Sequence, residues 1–124
     1  MIIVDASIWI DHLRIPEPQL GHFLLLEHAL THPHVLGEVA LGSIKNREQV
    51  LTRLLNLPVP WIAEDGHVLT LIEQNNLYAT GIGFTDAHLL ASTLLISGTR
   101  LWTRDRKLAA QAEKLTILYA EPMQ

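Results

Sequence analysis

The sequence contains no cysteine among its 124 residues. A disulfide framework and a thiolate zinc site are therefore both excluded. Long hydrophobic runs are also absent, because no window reaches the roughly 18 consecutive apolar residues of a membrane-spanning helix. The apolar start "MIIVDASIWI" has no basic segment ahead of it and is interrupted at Asp5, which is not the pattern of a signal peptide. We expect a protein of the cytoplasm that makes no membrane contact.

Positive charge is scarce as well. Nine lysine and arginine residues stand against 13 aspartate and glutamate residues, which gives a formal net charge of −4. Affinity for a phosphate backbone comes largely from basic side chains that displace counterions, so broad electrostatic binding of nucleic acid is not expected. The net charge does not exclude a local basic patch.

Apolar residues are plentiful, at 48% of the chain, which is enough for one well-buried core. No linker, repeat or low-complexity tract divides the sequence, so we expect a single domain over residues 1–124. The short apolar runs "MIIV", "VPWI", "RLWT" and "TILY" predict strands, and the segments between them predict helices, one of them over residues 16–30. This alternation predicts an α/β fold with three layers, α/β/α, around a central parallel sheet of about four or five strands.

Four acidic residues interrupt apolar segments near the ends of these predicted elements. Asp5 follows "IIV" and Asp105 follows "LWTR", while Glu38 lies inside "VLGEVAL" and Asp86 precedes "AHLLAS". Because ligands of a parallel α/β sheet collect at the carboxyl ends of its strands, the pattern alone places Asp5 and Asp105 there. One such acid is ordinarily a helix cap, but four of them predict a shared site.

Carboxylates brought together in this way repel one another, which raises at least one pKa. The divalent cations Mg²⁺ and Mn²⁺ remove that cost, because they prefer oxygen ligands and keep water molecules that a substrate phosphate displaces. Two such ions about 3.5–4 Å apart activate water and stabilise the leaving oxygen of a phosphodiester. The acids therefore predict metal-dependent hydrolysis of phosphodiester bonds, with one ion or two. The alternative is four unrelated caps and surface charges.

Four stretches that together span nearly the whole chain resemble the PIN-domain ribonucleases. They are "IIVDASIWIDHLR", "LGEVALG", "GIGFTDAHLLAS" and "LWTRDRKLA". The likeness is strongest to the VapC toxins of bacterial toxin and antitoxin pairs. It implies a PIN fold and an endoribonuclease that depends on Mg²⁺ or Mn²⁺, in which water attacks an RNA phosphorus in line and leaves a 5′-phosphate and a 3′-hydroxyl. A transfer RNA or a ribosomal RNA is the substrate that the family implies.

The same resemblance assigns roles to individual residues. The residues that it places at the metal are Asp5, Glu38, Asp86 and Asp105. It also implies that the hydroxyl groups of Ser7 and Thr103 support the site. From the residues alone, Ser7 fits a helix cap equally well, and Thr103 fits an ordinary β-branched strand residue equally well.

Basic residues around Asp105 indicate how RNA is held in spite of the negative net charge. The candidates for RNA binding are Arg104, Arg106 and Lys107. At the rim of a carboxylate site these side chains would seat a phosphate backbone. The alternative is a charged face that only contacts solvent.

Other residues with chemical potential fit structural roles better. We expect Asp11 to pair with Arg14 at the spacing i, i+3 on the surface, and His88 to be structural although it lies two residues after Asp86. Trp9 and Trp102 could stack on unpaired bases, but their apolar neighbours favour the core.

The seven histidines form a rival metal set, of which His22, His28, His32 and His34 lie nearest one another. His22 and His28 are six residues apart, which is poor spacing for one helix face, and Pro33 makes a turn inside "HPH". We therefore do not expect a zinc site.

A nuclease that attacks cellular RNA must be restrained, and the resemblance implies a cognate antitoxin similar to VapB. We expect its neighbouring gene to encode a small protein with a DNA-binding front half and a basic, apolar tail. An arginine or lysine of that tail would pair with Asp5 or Asp86 and displace the metal. Apolar faces around Leu13, Phe23 and Leu54 would receive its amphipathic stretch, unless they are ordinary core. We also expect a homodimer, the commonest closed assembly.

Three other classes of protein are alternatives to this interpretation. A phosphoryl-receiver domain needs an acceptor aspartate at the middle strand, where this chain has "LLNLPVPWI". A haloacid-dehalogenase-like phosphatase needs a second aspartate two residues after the first, where this chain has Ser7. A PIN-like interaction module without catalytic activity stays open as an alternative, although such a module would be expected to lose some of the four acids.

Overall fold

A computed structural model describes residues 1–122 of the chain. Within that range its sheet contains three parallel strands: β1 (Ile2–Val4), β2 (Ala29–Leu30) and β3 (Arg100–Trp102). The strand order is β2-β1-β3, with Ile2 opposite both Ala29 and Arg100. All of β1 is buried, as expected for a parallel strand that helices cover on both faces. This order makes β1 the central strand, so the residue that follows it, Asp5, lies at the middle of the sheet's carboxyl edge.

Seven helices complete the described part of the chain. They are α1 (Ala6–Arg14), α2 (Pro18–Leu25), α3 (Pro33–Ala40), α4 (Arg47–Leu55), α5 (Asp65–Gln74), α6 (Phe84–Leu94) and α7 (Arg106–Lys114). Proline opens α2 and α3, a position that needs no backbone N–H and already has a helical φ. Helix α6 is the most deeply placed, with residues 87–93 all buried. None of the helices in residues 1–122 is long and apolar enough to cross a bilayer.

The predicted α/β class is confirmed, but the predicted strand count is wrong, because three strands form instead of four or five in the described residues. The run "VPWI" makes no strand, and Trp61 within it is 74% exposed. Pro58 and Pro60 have no N–H to donate to a ladder, which explains why this apolar run does not join the sheet. The run "TILY" reaches the sheet only through an isolated parallel bridge between Leu118 and Leu101.

The second strand, β2, was not expected, since the helical pattern over residues 16–30 covers it. Helix α2 ends at Leu25, and Glu27 then takes a left-handed conformation with φ +57°. The backbone N–H groups of Glu27 and His28 donate to the carbonyls of Leu24 and Phe23, which is the hydrogen-bond pattern of a Schellman cap. The chain reverses there, and Ala29 pairs with β1.

A buried polar network fixes the extended segment that contains "VPWI" and ends at Ala63. His32 is fully buried, and its Nδ1 accepts a hydrogen bond from the backbone N–H of His34 at 3.1 Å. This acceptor role leaves the ring proton on Nε2, which donates to Ser92 Oγ at 3.1 Å. Ser92 Oγ also accepts from the backbone N–H of Ala63 at 3.1 Å. The network therefore ties α3, α6 and the extended segment before α5 to one another.

This network predicts a specific loss of stability in acid. Burial, with the nearby imidazoles of His34 and His88, lowers the pKa of His32 to about 4 from an ordinary 6.5. Between these values the unfolded chain binds a proton that the folded chain does not. The free energy of unfolding therefore falls as the pH is lowered from 6.5 towards 4, by about 3 kcal/mol from this residue.

Urea unfolding at several pH values measures the effect. The variant His32→Asn keeps a side-chain acceptor for the N–H of His34 but cannot titrate, so its stability should fall less steeply over this range. The exposed His67, changed to Asn, serves as a control that keeps the wild-type slope. If the free energy of unfolding changed with pH equally in the wild type and in His32→Asn, the pH dependence could not be assigned to His32.

Candidate functional site

Asp5 lies directly after the central strand and is only 5% exposed. Its Oδ2 accepts hydrogen bonds from Ser7 Oγ at 2.9 Å and from Thr103 Oγ1 at 2.7 Å. A buried carboxylate is costly unless it is hydrogen-bonded, and these two hydroxyl groups supply the hydrogen bonds. Within the described residues Oδ1 accepts no hydrogen bond, which leaves one carboxylate oxygen available to a ligand.

The two hydroxyl groups also hold the loop after β3. Ser7 Oγ accepts from the backbone N–H of Arg104 at 3.1 Å, and Thr103 Oγ1 accepts from the backbone N–H of Asp105 at 3.1 Å. Each hydroxyl thus donates to Asp5 and accepts from the 103–105 segment. Strands β1 and β3 are neighbours in the sheet. These hydrogen bonds between side-chain hydroxyls and backbone N–H groups connect the segments that follow them, where Asp5 and Asp105 lie.

Asp86 and Asp105 both cap helices. Asp105 is the N-cap of α7, where its Oδ1 accepts from the N–H of Leu108 at 3.0 Å. Asp86 lies in the first turn of α6, and its Oδ2 accepts from the N–H of Gly83 at 3.1 Å. Helix capping, which is the structural role expected of a lone acid, is therefore present at both positions. It engages one oxygen of each carboxylate within the described residues and leaves the other for the site.

The structure brings all four acids into one electrostatic environment. The pKa of Glu38 is raised by burial and then by the carboxylates of Asp5, Asp86 and Asp105. Burial likewise raises the pKa of Asp86, and Asp5 and Asp105 add to that rise, while the bond from Gly83 opposes it. These mutual effects require the carboxylates to lie near one another, although they come from β1, α3, α6 and the start of α7.

These residues fit a hard divalent cation. All of the donors are carboxylate or hydroxyl oxygens, which are the ligands that Mg²⁺ and Mn²⁺ prefer. Within residues 1–122, no three carboxylate or imidazole groups already have the spacing of a closed metal site. The carboxylates that would hold such an ion are Asp5, Glu38, Asp86 and Asp105, and an Mg²⁺ or Mn²⁺ ion bound there would keep some of its water.

The predicted RNA-binding residue Arg104 has other partners. Its guanidinium contacts Asp11 at 2.8 Å, Glu17 at 2.8 Å and Glu121 at 2.6 Å. These contacts raise its pKa further above the usual range, with Glu17 contributing most. RNA binding by Arg104 is not supported, because three carboxylates already occupy its donors. The expected pair between Asp11 and Arg14 is replaced by this network, in which Asp11 joins Arg104.

The other candidates fall into two groups. Arg106 and Lys107 are exposed in the first turn of α7, and their binding of RNA stays a prediction. Trp9 and Trp102 are 4% and 1% exposed, which places both in the core and excludes stacking on bases. Trp9 Nε1 donates to the carbonyl of Val4 at 3.1 Å, so it packs against the central strand.

His88 is structural, as its spacing from Asp86 suggested. It is 2% exposed, and its Nε2 lies 2.7 Å from Asp65 Oδ1, which joins α6 to α5. The partner Asp65 was not foreseen, and neither were Glu17 and Glu121 around Arg104. No local pattern marks such pairs, because their members lie 23, 87 and 17 residues apart.

The sequence and the fold agree with a known family. Residues 2–114 match the family model described as PIN domain. The chain belongs to the PIN-domain family, as the sequence motifs predicted. It is 44% identical over 122 residues to Ribonuclease VapC32 of Mycobacterium tuberculosis, in each of two strains, with 98% of both chains covered.

A solved structure supports the fold independently. The crystal structure of PAE2754 from Pyrobaculum aerophilum resembles this chain with a TM-score of 0.62, over 92% of this chain and 90% of that one. The sequence identity is 20%, so the likeness concerns the fold alone.

The hydroxyl group of Thr103 should contribute measurably to stability. Thr103→Val removes one donor to Asp5 and one acceptor for the N–H of Asp105, so the free energy of unfolding should fall by about 1–3 kcal/mol. The control is Thr31→Val, because Thr31 is equally buried and its hydroxyl has no partner within the described residues. That change should be neutral or stabilising. Equal losses in the two variants, measured by urea unfolding, would remove the case for a special role of Thr103.

Crowding of the acids should be visible in the metal-free protein. Glu38→Gln removes one repelling charge and should raise the Tm at neutral pH by about 2 °C, a small effect because solvent screens the exposed part of this residue. Added Mn²⁺ should stabilise the wild type by mass action and stabilise the variant less.

The matched control is Glu113→Gln, which changes an exposed acid of α7 outside the cluster. It should keep the full response to Mn²⁺ in a thermal unfolding assay. A wild type that does not respond to Mn²⁺, together with a destabilised Glu38→Gln, would favour four unrelated acids over a shared site.

Proposed function

We propose that this chain is a toxin of the VapC type, an endoribonuclease that hydrolyses RNA phosphodiester bonds with Mg²⁺ or Mn²⁺. The observation that carries the proposal is the convergence of Asp5, Glu38, Asp86 and Asp105. The 44% identity to Ribonuclease VapC32 supports it, and VapC nucleases of the PIN-domain family generally depend on metal. A transfer RNA or a ribosomal RNA is the proposed substrate class, and the cytoplasm, which cell fractionation would check, is the proposed location.

The four acids are the proposed metal ligands. A bound Mg²⁺ or Mn²⁺ would polarise the phosphate and make a water molecule more acidic. Ser7 and Thr103 orient the Asp5 carboxylate through their hydroxyl groups. Glu38 makes no side-chain hydrogen bond within the described residues, so both of its carboxylate oxygens are available to the ion or to its water. Attack in line at phosphorus leaves a 5′-phosphate and a 3′-hydroxyl.

The two alternatives are less well supported. An inactive interaction module has no need of a buried aspartate held by two hydroxyl groups, since that carboxylate costs folding free energy unless it serves the site. A phosphoryl receiver is not favoured, because residues 2–114 match the PIN domain instead.

RNA cleavage tests the proposal directly. The variants Asp5→Asn, Glu38→Gln, Asp86→Asn and Asp105→Asn should each reduce the rate about 100-fold or more, because losing one ligand charge weakens the ion and misplaces the water. Total RNA is incubated with purified protein and Mn²⁺, and the new 5′ ends are mapped.

Circular dichroism establishes that each variant is folded, and Glu113→Gln is the control that should keep wild-type activity. Cleavage that persists in a metal chelator, or in all four variants, would contradict the metal-nuclease assignment.

A groove lined by residues of α1, α2 and α4 is the proposed seat of an antitoxin similar to VapB. One cleft of about 240 Å³ is lined by Leu13, Leu24 and Leu54. A second cleft of about 650 Å³ shares Leu13 with the first and continues past Arg14 and Lys45. The basic residues along this path favour a partner segment that combines apolar anchors with acidic side chains, followed by a cation that reaches Asp5 or Asp86.

The apolar face that the sequence predicted around Phe23 as a partner site is already covered by other side chains of this protein. Phe23 packs edge to face against Trp102 and Tyr119, with ring centroids 6.0 and 5.4 Å apart. It therefore contributes to the aromatic cluster of the fold, and the proposed groove depends on Leu13 and Leu54. The homodimer stays a prediction, which sedimentation of the purified protein would check.

Co-expression tests the partner. The product of the neighbouring reading frame should suppress RNA cleavage by the wild type, and Leu13→Asp should restore cleavage because it places a charge in the apolar part of the groove. Ile15→Asp is the control, since Ile15 is 74% exposed and does not line either cleft. Equal suppression of both variants would place the partner elsewhere, and a neighbour that does not bind would contradict the toxin assignment.

A further inference from the structure

The loop between α5 and α6 approaches α7 unusually closely at Gly81. This glycine has φ +89°, the left-handed region that favours glycine over other residues. A Cβ atom built on it would lie 2.8 Å from Cδ and 3.1 Å from Nζ of Lys107. The Lys107 side chain therefore lies against the backbone of Gly81, in space that any other residue at position 81 would fill.

This contact lies between two of the acids. Gly81 is two residues before Gly83, whose N–H holds the carboxylate of Asp86. Lys107 is two residues after Asp105, the N-cap of the same helix. The Lys107 side chain therefore lies against the loop that precedes α6, close along the chain to the residues that position Asp86 and to Asp105.

The charge of Lys107 is unpaired within residues 1–122. No carboxylate lies within 4.0 Å of its ammonium, whereas Arg104 on the same segment is paired with three. The residue is exposed, so an arriving ligand can reach it. An RNA phosphate approaching a cluster of carboxylates meets repulsion, and a fixed cation at the edge of that cluster offsets it.

We propose that Lys107, held in place by Gly81, binds a phosphate of the RNA strand next to the one that is cleaved. The proposal rests on the RNA cleavage proposed above. Because the lysine stem already lies against the loop, less conformational entropy is lost when the ammonium binds a phosphate. Gly81 is then a positioning residue that acts through Lys107.

Kinetics and salt dependence test the role of Lys107. Lys107→Ala should raise the KM for a short single-stranded RNA about fivefold to tenfold, with kcat changed less than about twofold. The slope of log affinity against log salt concentration should become shallower by about 0.7, the value for one contact to a single-stranded phosphate. Lys114→Ala, at the far end of α7, is the matched control and should leave the KM and the slope unchanged.

Two glycine variants test the positioning. Gly81 and Gly98 have nearly the same φ, +89° and +84°, but a Cβ at Gly98 meets nothing within 4 Å. Gly81→Ala and Gly98→Ala should therefore lower the Tm by similar amounts, since both strain the backbone. Only Gly81→Ala should raise the KM and make the slope of log affinity against log salt concentration shallower. The double variant Gly81→Ala, Lys107→Ala should have the same KM as Lys107→Ala alone, because the glycine acts through the lysine.

The outcomes separate this inference from the proposed function. If the wild type cleaves RNA and Lys107→Ala behaves like Lys114→Ala, the phosphate contact is wrong although the nuclease stands. If Gly81→Ala behaves like Gly98→Ala, the positioning role of Gly81 is wrong. A wild type that cleaves no RNA in Mn²⁺ would overturn the proposed function itself, and the inference with it.

Discussion

The carboxylate of Asp5 must be hydrogen-bonded by the protein, because water barely reaches it. A group that is 5% exposed at the end of the central strand depends on donors from the protein, and here the donors come from α1 and from the end of β3. The parallel register of β1 and β3 sets Val4 beside Trp102, so Asp5 and Thr103, the residues that follow, meet across the sheet. The 103–105 segment and Asp105 itself are placed through the same two hydroxyl groups.

Helix capping and the proposed ligand binding can use the same acids without conflict. A carboxylate has two oxygens, and Asp86 and Asp105 each give one to a backbone N–H. That bond fixes the orientation of the other oxygen, so capping orders the site and does not compete with it. The choice between a cap and a shared site, which a single aspartate in a sequence presents, is therefore not a choice between exclusive roles.

The sequence could predict what depends on neighbouring residues along the chain. The α/β class and the proximity of the four acids were predictable, because each acid interrupts an apolar run and because the motifs resemble a family. The three-carboxylate network around Arg104 and the bond between His32 and Ser92 were not, because they join residues far apart in the chain. The two wrong strand predictions, the expected strand "VPWI" and the missed strand β2, have local causes. Two prolines keep "VPWI" out of the ladder, and β2 has only two residues, too few to show a periodicity of its own.

The network around Arg104 also makes the rim of the site electrically asymmetric. One guanidinium faces three carboxylates, Asp11, Glu17 and Glu121, so this edge carries a net charge of −2 in the described residues. Three residues after Arg104 in the chain, Lys107 has no carboxylate partner in the described residues. Carboxylates that already contact a guanidinium still repel an approaching polyanion, whereas an unpaired ammonium attracts it. This uneven distribution of charge along one short segment would give the RNA of the proposed function a favoured direction of approach.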